Sequence, residues 1–323
     1  GGPTGRGRAL VNLLPELGAD AITTVLPLPQ DETLWDSLHL VFATASGNVR
    51  RNRLSDFRNV RSVGLIAMKL DEGDKLIGVA TCREGDDMLL AARGGRCVRF
   101  QLTDDTVRVF AGRDSSGVRG IRLAAGDEVI GMSVLRHVDA SVEERAAYLK
   151  LANAKRRGGA EEEADAPAEP EETVEDVALA PERAAELEAA EEMVLAVTDA
   201  GFGKRTSAYE YRVSGRGGQG IANIGLAARN GRAVAATFPV RQGDDVMLVT
   251  DAGRLIRVPA DQVRITGRSA MGVMLFRVNA GEKVTSVFPV LEEEADDPAS
   301  SDGGAPDGDA PAGDPPNGET TDG

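Results

Sequence analysis

Residues 215–220 read Gly-Arg-Gly-Gly-Gln-Gly and satisfy the pattern G-x-G-x-x-G. In a dinucleotide-binding unit such glycines make a tight turn between a buried strand and a helix whose N-terminus holds a pyrophosphate. Here the hexapeptide follows AYEYRVS and precedes IANIGLAARNGRAVAATF, which reads strand, turn, strand. No helix opens after it, and the acidic residue expected roughly twenty positions on is missing. The sequence has no G-x-x-x-x-G-K-[ST] and so no P-loop. Cys82 and Cys97 lack C-x-x-C spacing and paired histidines, so they read as two reduced thiols on or near strands. His39 and His137 are unaccompanied and read as structural or surface residues. Trp35, Tyr148, Tyr209 and Tyr211 form no interleaved stacking platform for single-stranded nucleic acid. What remains is glycine next to arginine, a pairing suited to holding phosphate.

The elements that would position those residues repeat along the chain. LVFATASGNVRRNRL (40–54), MLLAARGGRCVRFQL (88–102), MVLAVTDAGFGKRTSA (193–208) and MLVTDAGRLIRVPA (247–260) each run from an apolar stretch through a glycine turn into a basic stretch. Their turn glycines, Gly47, Gly95, Gly201 and Gly253, are 48, 106 and 52 residues apart. Setting aside the acidic 54-residue stretch 139–192 leaves 52 in the long gap, so the period is about fifty. Each second half aligns on Gly64, Gly117, Gly220 or Gly272, followed by an apolar strand, a turn and another apolar strand. Arg113, Arg216 and Arg268 stand four residues before their glycine, and Val60 holds that place in the first copy. GRGRALVNLLPELGADAITTVLPL at the N-terminus matches a second half alone. Short Val/Ile/Leu runs bounded by Gly, Asp and Asn are hairpin chemistry. Four strands per repeat of this length predict an all-β, propeller-like ring of blades rather than a solenoid.

Charge divides the same way. The net charge of −15 in 323 residues argues at first against a nucleic-acid partner. Residues 1–138, however, carry 18 Lys/Arg against 17 Asp/Glu, and residues 193–290 carry 13 against 7. The excess lies in 139–192, net −11, and in 291–323, also net −11. These bounds predict four segments: blades in 1–138, an acidic insertion in 139–192, further blades in 193–290 and a disordered acidic tail in 291–323. The insertion has a Pro-containing acidic middle, while SVEERAAYLKLANAKRR and PERAAELEAAEEM at its ends favour short helices. No signal peptide or membrane-length apolar run is evident, which makes the cytoplasm the default expectation. The start at Gly1 without Met reads as a fragment.

A ring presenting basic residues from every blade would carry a positive band able to hold a curved duplex by its phosphates. The candidate contacts are Arg50, Arg51, Arg96, Arg99, Lys204, Arg205, Arg254 and Arg257 on the hairpins. Arg113, Arg216 and Arg268 belong to the repeated element, and Arg6, Arg8 and Arg119 complete the set. The competing expectation is that these are solvated turn residues balanced by nearby carboxylates.

GRGRALVNLLPELGADAITTVLPL, FATASGNVRRNRLSDF, SSGVRGIRLAAGDEVIGM, GFGKRTSAYEY and MLVTDAGRLIRV together resemble the C-terminal domain of the DNA gyrase A protein over nearly all of 1–290 outside the insertion. The resemblance implies a β-pinwheel whose blades exchange strands and which wraps duplex DNA with little regard to sequence. It implies an intact type II topoisomerase that introduces negative supercoils, built from two copies of gyrase A with the ATP-hydrolysing gyrase B. ATP and Mg belong to that holoenzyme, and no cofactor is implied for this part. The family's cleavage tyrosine lies in a domain absent here, and no tyrosine of this chain matches its setting, so no catalytic residue is assigned. The family's box, Q-R-R-G-G-K-G, would lie upstream of Gly1, and Ser214–Gly220 is a degenerate cousin in a later blade. The corresponding protein of topoisomerase IV is the alternative within the family, and a propeller serving as a protein-interaction scaffold is the alternative outside it.

Overall fold

The structure is a computed structural model that describes residues 22–60, 64–157 and 177–290. Arg6, Arg8, most of the N-terminal half-repeat, the acidic middle of the insertion and the acidic tail lie outside the described residues. The first repeat forms β1 (His39–Thr44), β2 (Asn48–Arg53) and β3 (Leu76–Cys82). The second forms β4 (Asp87–Ala92), β5 (Arg96–Gln101), β6 (Val118–Arg119) and β7 (Val129–Leu135). Two helices follow, α1 (Val142–Arg157) and α2 (Pro181–Ala190). The third repeat forms β8 (Met193–Thr198), β9 (Phe202–Ser207), β10 (Ile221–Ala222) and β11 (Val234–Val240). The fourth forms β12 (Asp245–Thr250), β13 (Leu255–Pro259), β14 (Val273–Met274) and β15 (Val284–Val290).

These strands make four antiparallel sheets, in the orders β3-β1-β2-β6, β7-β4-β5-β10, β11-β8-β9-β14 and β15-β12-β13. The two-residue outer strand of each of the first three blades is donated by the repeat that follows. Blades therefore exchange strands, and a blade is not a repeat. The inner strands β3, β7, β11 and β15 abut in that order.

The central strands of the first three blades are buried on both faces, which explains why β4 reads as an unbroken run, DMLLAA, without period-two alternation. Their side chains meet those of neighbouring blades. Val41, Val49, Met88, Leu90, Phe100 and Val129 join the first blade to the second. Leu89, Cys97, Leu135, Val194, Tyr211 and Ile221 join the second to the third. Leu195, Val197, Val240, Leu248 and Val284 join the third to the fourth. Both cysteines are buried free thiols in these layers, and burial pushes the Cys82 thiol up to about 12.

The helices form at both ends of the insertion, where Ala, Glu, Leu and Arg favour them. Tyr148 and Leu187 pack against Tyr209 of the third blade. The two tyrosine rings meet edge to face at 5.3 Å, and Tyr209 donates its hydroxyl hydrogen to the Leu187 carbonyl at 2.9 Å. Among the described residues no helix is long and apolar enough to cross a membrane.

Candidate nucleic-acid interface

One arginine recurs at a fixed register in the second strand of every hairpin. Arg51, Arg99, Arg205 and Arg257 stand opposite Val41, Leu89, Leu195 and Met247. In three blades the next repeat folds over it. Arg51 gives Nε to the Val107 carbonyl at 2.8 Å and pairs with Asp104 at 2.8 Å and with Glu84. Arg99 pairs with the fully buried Asp87 at 2.7 Å and donates to the Ala208 carbonyl at 2.7 Å. Arg205 donates to the Val263 carbonyl at 2.9 Å and pairs with Asp261 at 3.0 Å. Their side chains are 0%, 4% and 12% exposed, whereas Arg257, with no further described repeat over it, is 61% exposed and pairs with Asp245.

The expectation of a rim built from these groups is therefore corrected. A guanidinium enclosed by carbonyls and carboxylates cannot reach a phosphate. The same holds for Arg50, whose Nε bonds Asn52 at 2.9 Å and whose Nη1 bonds Ser115. It holds for Arg268, which gives Nε to the Glu210 carbonyl at 3.1 Å and Nη1 to the Ala222 carbonyl. It holds for Lys204, which donates to the Gly267 carbonyl at 2.6 Å and to the Arg268 carbonyl. Arg254 is half-buried, pairs with Glu282 at 2.8 Å and stacks on Phe276 at 4.4 Å.

Burial lowers the Lys204 pKa to about 7, with Glu210 and Arg268 beside it. Its unfolded value is the ordinary lysine value of about 10.4, so between those limits the unfolded chain holds a proton that the folded chain has released. Stability is expected to rise with pH over that window. The rise should be smaller in Lys204→Met, which unfolding midpoints at pH 7 and pH 9 would show.

Four exposed arginines meet elsewhere, where the loop before β10 crosses from the third repeat onto the second. Gly217 N–H donates to the Gly120 carbonyl at 2.6 Å, and Arg122 N–H donates to the Gly218 carbonyl at 2.8 Å. Arg216 gives Nη1 to the Arg119 carbonyl at 3.2 Å and Nε to the Thr106 carbonyl. Arg96 reaches the same loop, giving Nε to the Gln219 carbonyl at 2.8 Å and Nη2 to the Gly220 carbonyl. All four arginines are exposed. Among the described residues the Arg119 and Arg122 guanidinium groups make no hydrogen bond or ion pair.

Next to this strap lies a shallow groove of about 440 Å³ at Arg108, Phe110, Gly112, Asp114 and Ser115. Arg108 stacks on Phe110 at 4.7 Å, and Arg113 sits half-exposed beside it. Of the expected set, then, the fold brings together Arg96, Arg119 and Arg216, with Arg113 nearby. Arg108 and Arg122 join them unannounced by any motif. Arg122 directly follows the buried Ile121, and no pattern in the sequence sets it apart from the other exposed arginines.

Arg216 and Arg268 do the same structural job. Each clips its loop to the second residue of the preceding exchanged strand, Arg119 or Ala222, and to the segment after the preceding hairpin, Thr106 or Glu210. The glycine four residues on is required by contact. Gly220 has φ +70°, and a Cβ there would lie 2.1 Å from the Cys97 carbonyl oxygen. The hexapeptide is a strand-exchange joint and leaves no cradle for a dinucleotide.

The repeats match the model of the DNA gyrase C-terminal domain, a β-propeller, over residues 38–83, 86–136, 192–237 and 244–291. The chain is 74% identical over 307 residues to the DNA gyrase A protein of Granulibacter bethesdensis, covering 93% of this chain and 33% of that protein. It is 44% identical over 302 residues to the DNA gyrase A protein of Rickettsia bellii, covering 93% and 32%. The chain thus spans about a third of the length of these curated relatives. Its fold is similar to the C-terminal domain of DNA topoisomerase IV (TM-score 0.64, 17% identity, 88% of this chain and 70% of that one). It is also similar to a DNA gyrase A C-terminal domain (TM-score 0.56, 18% identity, 82% and 73%). With its four repeats matched in order, the chain belongs to the DNA gyrase C-terminal domain family.

Proposed function

We propose that the chain binds duplex DNA through the arginine strap of the second and third repeats and serves as the DNA-wrapping part of a bacterial, cytoplasmic DNA gyrase A protein. The intact enzyme, two such chains with gyrase B, would introduce negative supercoils at the expense of ATP. This part contributes no catalytic group. The observation that carries the reading is the set of exposed guanidinium groups at Arg96, Arg119, Arg122 and Arg216, held together by backbone bonds. Such groups meet phosphates and position a duplex without reading its bases. Each phosphate contact releases counterions, so log affinity falls linearly with log salt.

Removing Arg119 and Arg122 together as Gln is expected to weaken binding to all duplex sequences alike. It should also lower the magnitude of the salt slope by about 2, roughly 1 per lost contact. Arg257→Gln, at a guanidinium paired with Asp245, serves as the control and should leave the slope nearly unchanged. Equal slopes for wild type and the double variant would sink the reading.

A further inference from the structure

Three of the inner strands, β3, β7 and β11, run into an arginine at one shared register. Cys82 faces His39, Leu135 faces Asp87 and Val240 faces Met193, each the first residue of its blade's central strand. Arg83, Arg136 and Arg241 follow directly, and all three are exposed. The nearby carboxylates are engaged by main chain instead. Asp86 accepts the Arg83 N–H at 2.7 Å, Glu192 accepts the Arg136 N–H at 2.8 Å and Asp244 accepts the Arg241 N–H at 2.7 Å. Among the described residues none of these three guanidinium groups makes a hydrogen bond or an ion pair.

Two of them share a cavity between the first and second blades, and we propose that it binds a small polyphosphate, free or as the phosphate chain of a nucleotide. Arg83 and Arg136 line one open cavity of about 460 Å³. That size falls within the usual span of small-molecule sites, roughly 300–1,000 Å³. Two guanidinium forks on separate strands match two linked phosphate groups, each able to accept a bidentate pair. Leu38, Val134 and Leu135 give the cavity an apolar wall, which suits the nucleoside part of a nucleotide. Asp86 also lines it, so two guanidinium charges face one carboxylate, and that carboxylate is held at the Arg83 N–H. Arg241 lies outside the cavity, as do the arginines of the strap.

The cavity is separate from the strap. Leu135, at its wall, faces Asp87 at the start of β4, whereas Arg96 begins β5 after the turn that follows Ala92. The length of β4 lies between the two levels, on the order of 17 Å. Ligand at one place therefore leaves the guanidinium groups of the other untouched.

Calorimetric titration of the 323-residue chain with pyrophosphate and with ADP, in the absence of DNA, tests this. Saturable binding of one equivalent is expected, and Arg83→Gln and Arg136→Gln should each weaken it about tenfold or more, as loss of a charge-assisted pair does. Arg241→Gln, at the same register but outside the cavity, should leave it unchanged. So should Arg119→Gln/Arg122→Gln, which keeps this reading and that of the strap independent. Tighter binding of ADP assigns the site to nucleotides, and equal binding assigns it to the free polyphosphate. All the substituted residues are exposed, so unchanged thermal unfolding would show that the variants still fold. A chain that binds neither probe saturably overturns the proposal, as does binding that survives both Arg83→Gln and Arg136→Gln. A chain that binds neither probe, yet whose DNA salt slope falls in the Arg83→Gln/Arg136→Gln variant, also overturns it, by making the pair a further duplex contact.

Discussion

Gly220→Val is expected to unpair β10 from β5 and cost about 4 kcal/mol or more, among the largest effects a single substitution can have. Two causes add. A β-branched residue at φ +70° is strained by itself. Its Cβ would also lie 2.1 Å from the Cys97 carbonyl oxygen, a backbone atom locked in a sheet that cannot yield. Amide exchange at Arg96 and Cys97, which face Ala222 and Ile221, should accelerate before the rest of the second blade opens. The same hexapeptide supplies the control. Gly215 has ordinary φ and open space around it, so Gly215→Ala should shift stability by less than about 0.5 kcal/mol. If both variants unfold at the same denaturant concentration, the strand-exchange account of this motif is wrong.

Arg99→Ala should destabilise the chain by about 3–5 kcal/mol, the usual cost of breaking a buried ion pair from one side. Asp87 is fully buried and holds Arg99 with one oxygen and His137 with the other, the latter at 2.9 Å. Removing the guanidinium leaves that buried carboxylate with the half-buried imidazole as its hydrogen-bond partner and takes a donor from the Ala208 and Arg136 carbonyls. The double variant Asp87→Leu/Arg99→Met should recover most of the loss, because replacing both charges leaves neither uncompensated. Arg257→Ala removes the arginine of identical register from an exposed pair and should cost under about 1 kcal/mol. Chemical unfolding of the three variants side by side would distinguish burial from mere repetition. Similar losses for Arg99→Ala and Arg257→Ala would contradict it.

Much of the fold was legible in the residues. The fifty-residue period, the glycine hairpins and the aligned Gly64, Gly117, Gly220 and Gly272 predicted blades, and the sheets follow them. Helices at the ends of the insertion followed from their Ala, Glu and Leu content. The site was less legible. Arg51 and Arg257 occupy one position of the repeat, yet one is enclosed and the other is open. Nothing within either hairpin tells them apart, since the cover comes from the following repeat. Arg119 belongs to the expected contacts and Arg122 does not, yet it is the loop from about a hundred residues later that sets both beside Arg216.

The sequence by itself determined the repeating unit, because turn chemistry and apolar runs act over a few residues. Where each arginine points, and which of them remain to meet a partner, was decided only by the tertiary structure. Whether a guanidinium is enclosed depends on the carbonyls and carboxylates that another repeat brings to it, and those contacts exist only once the strands have been exchanged.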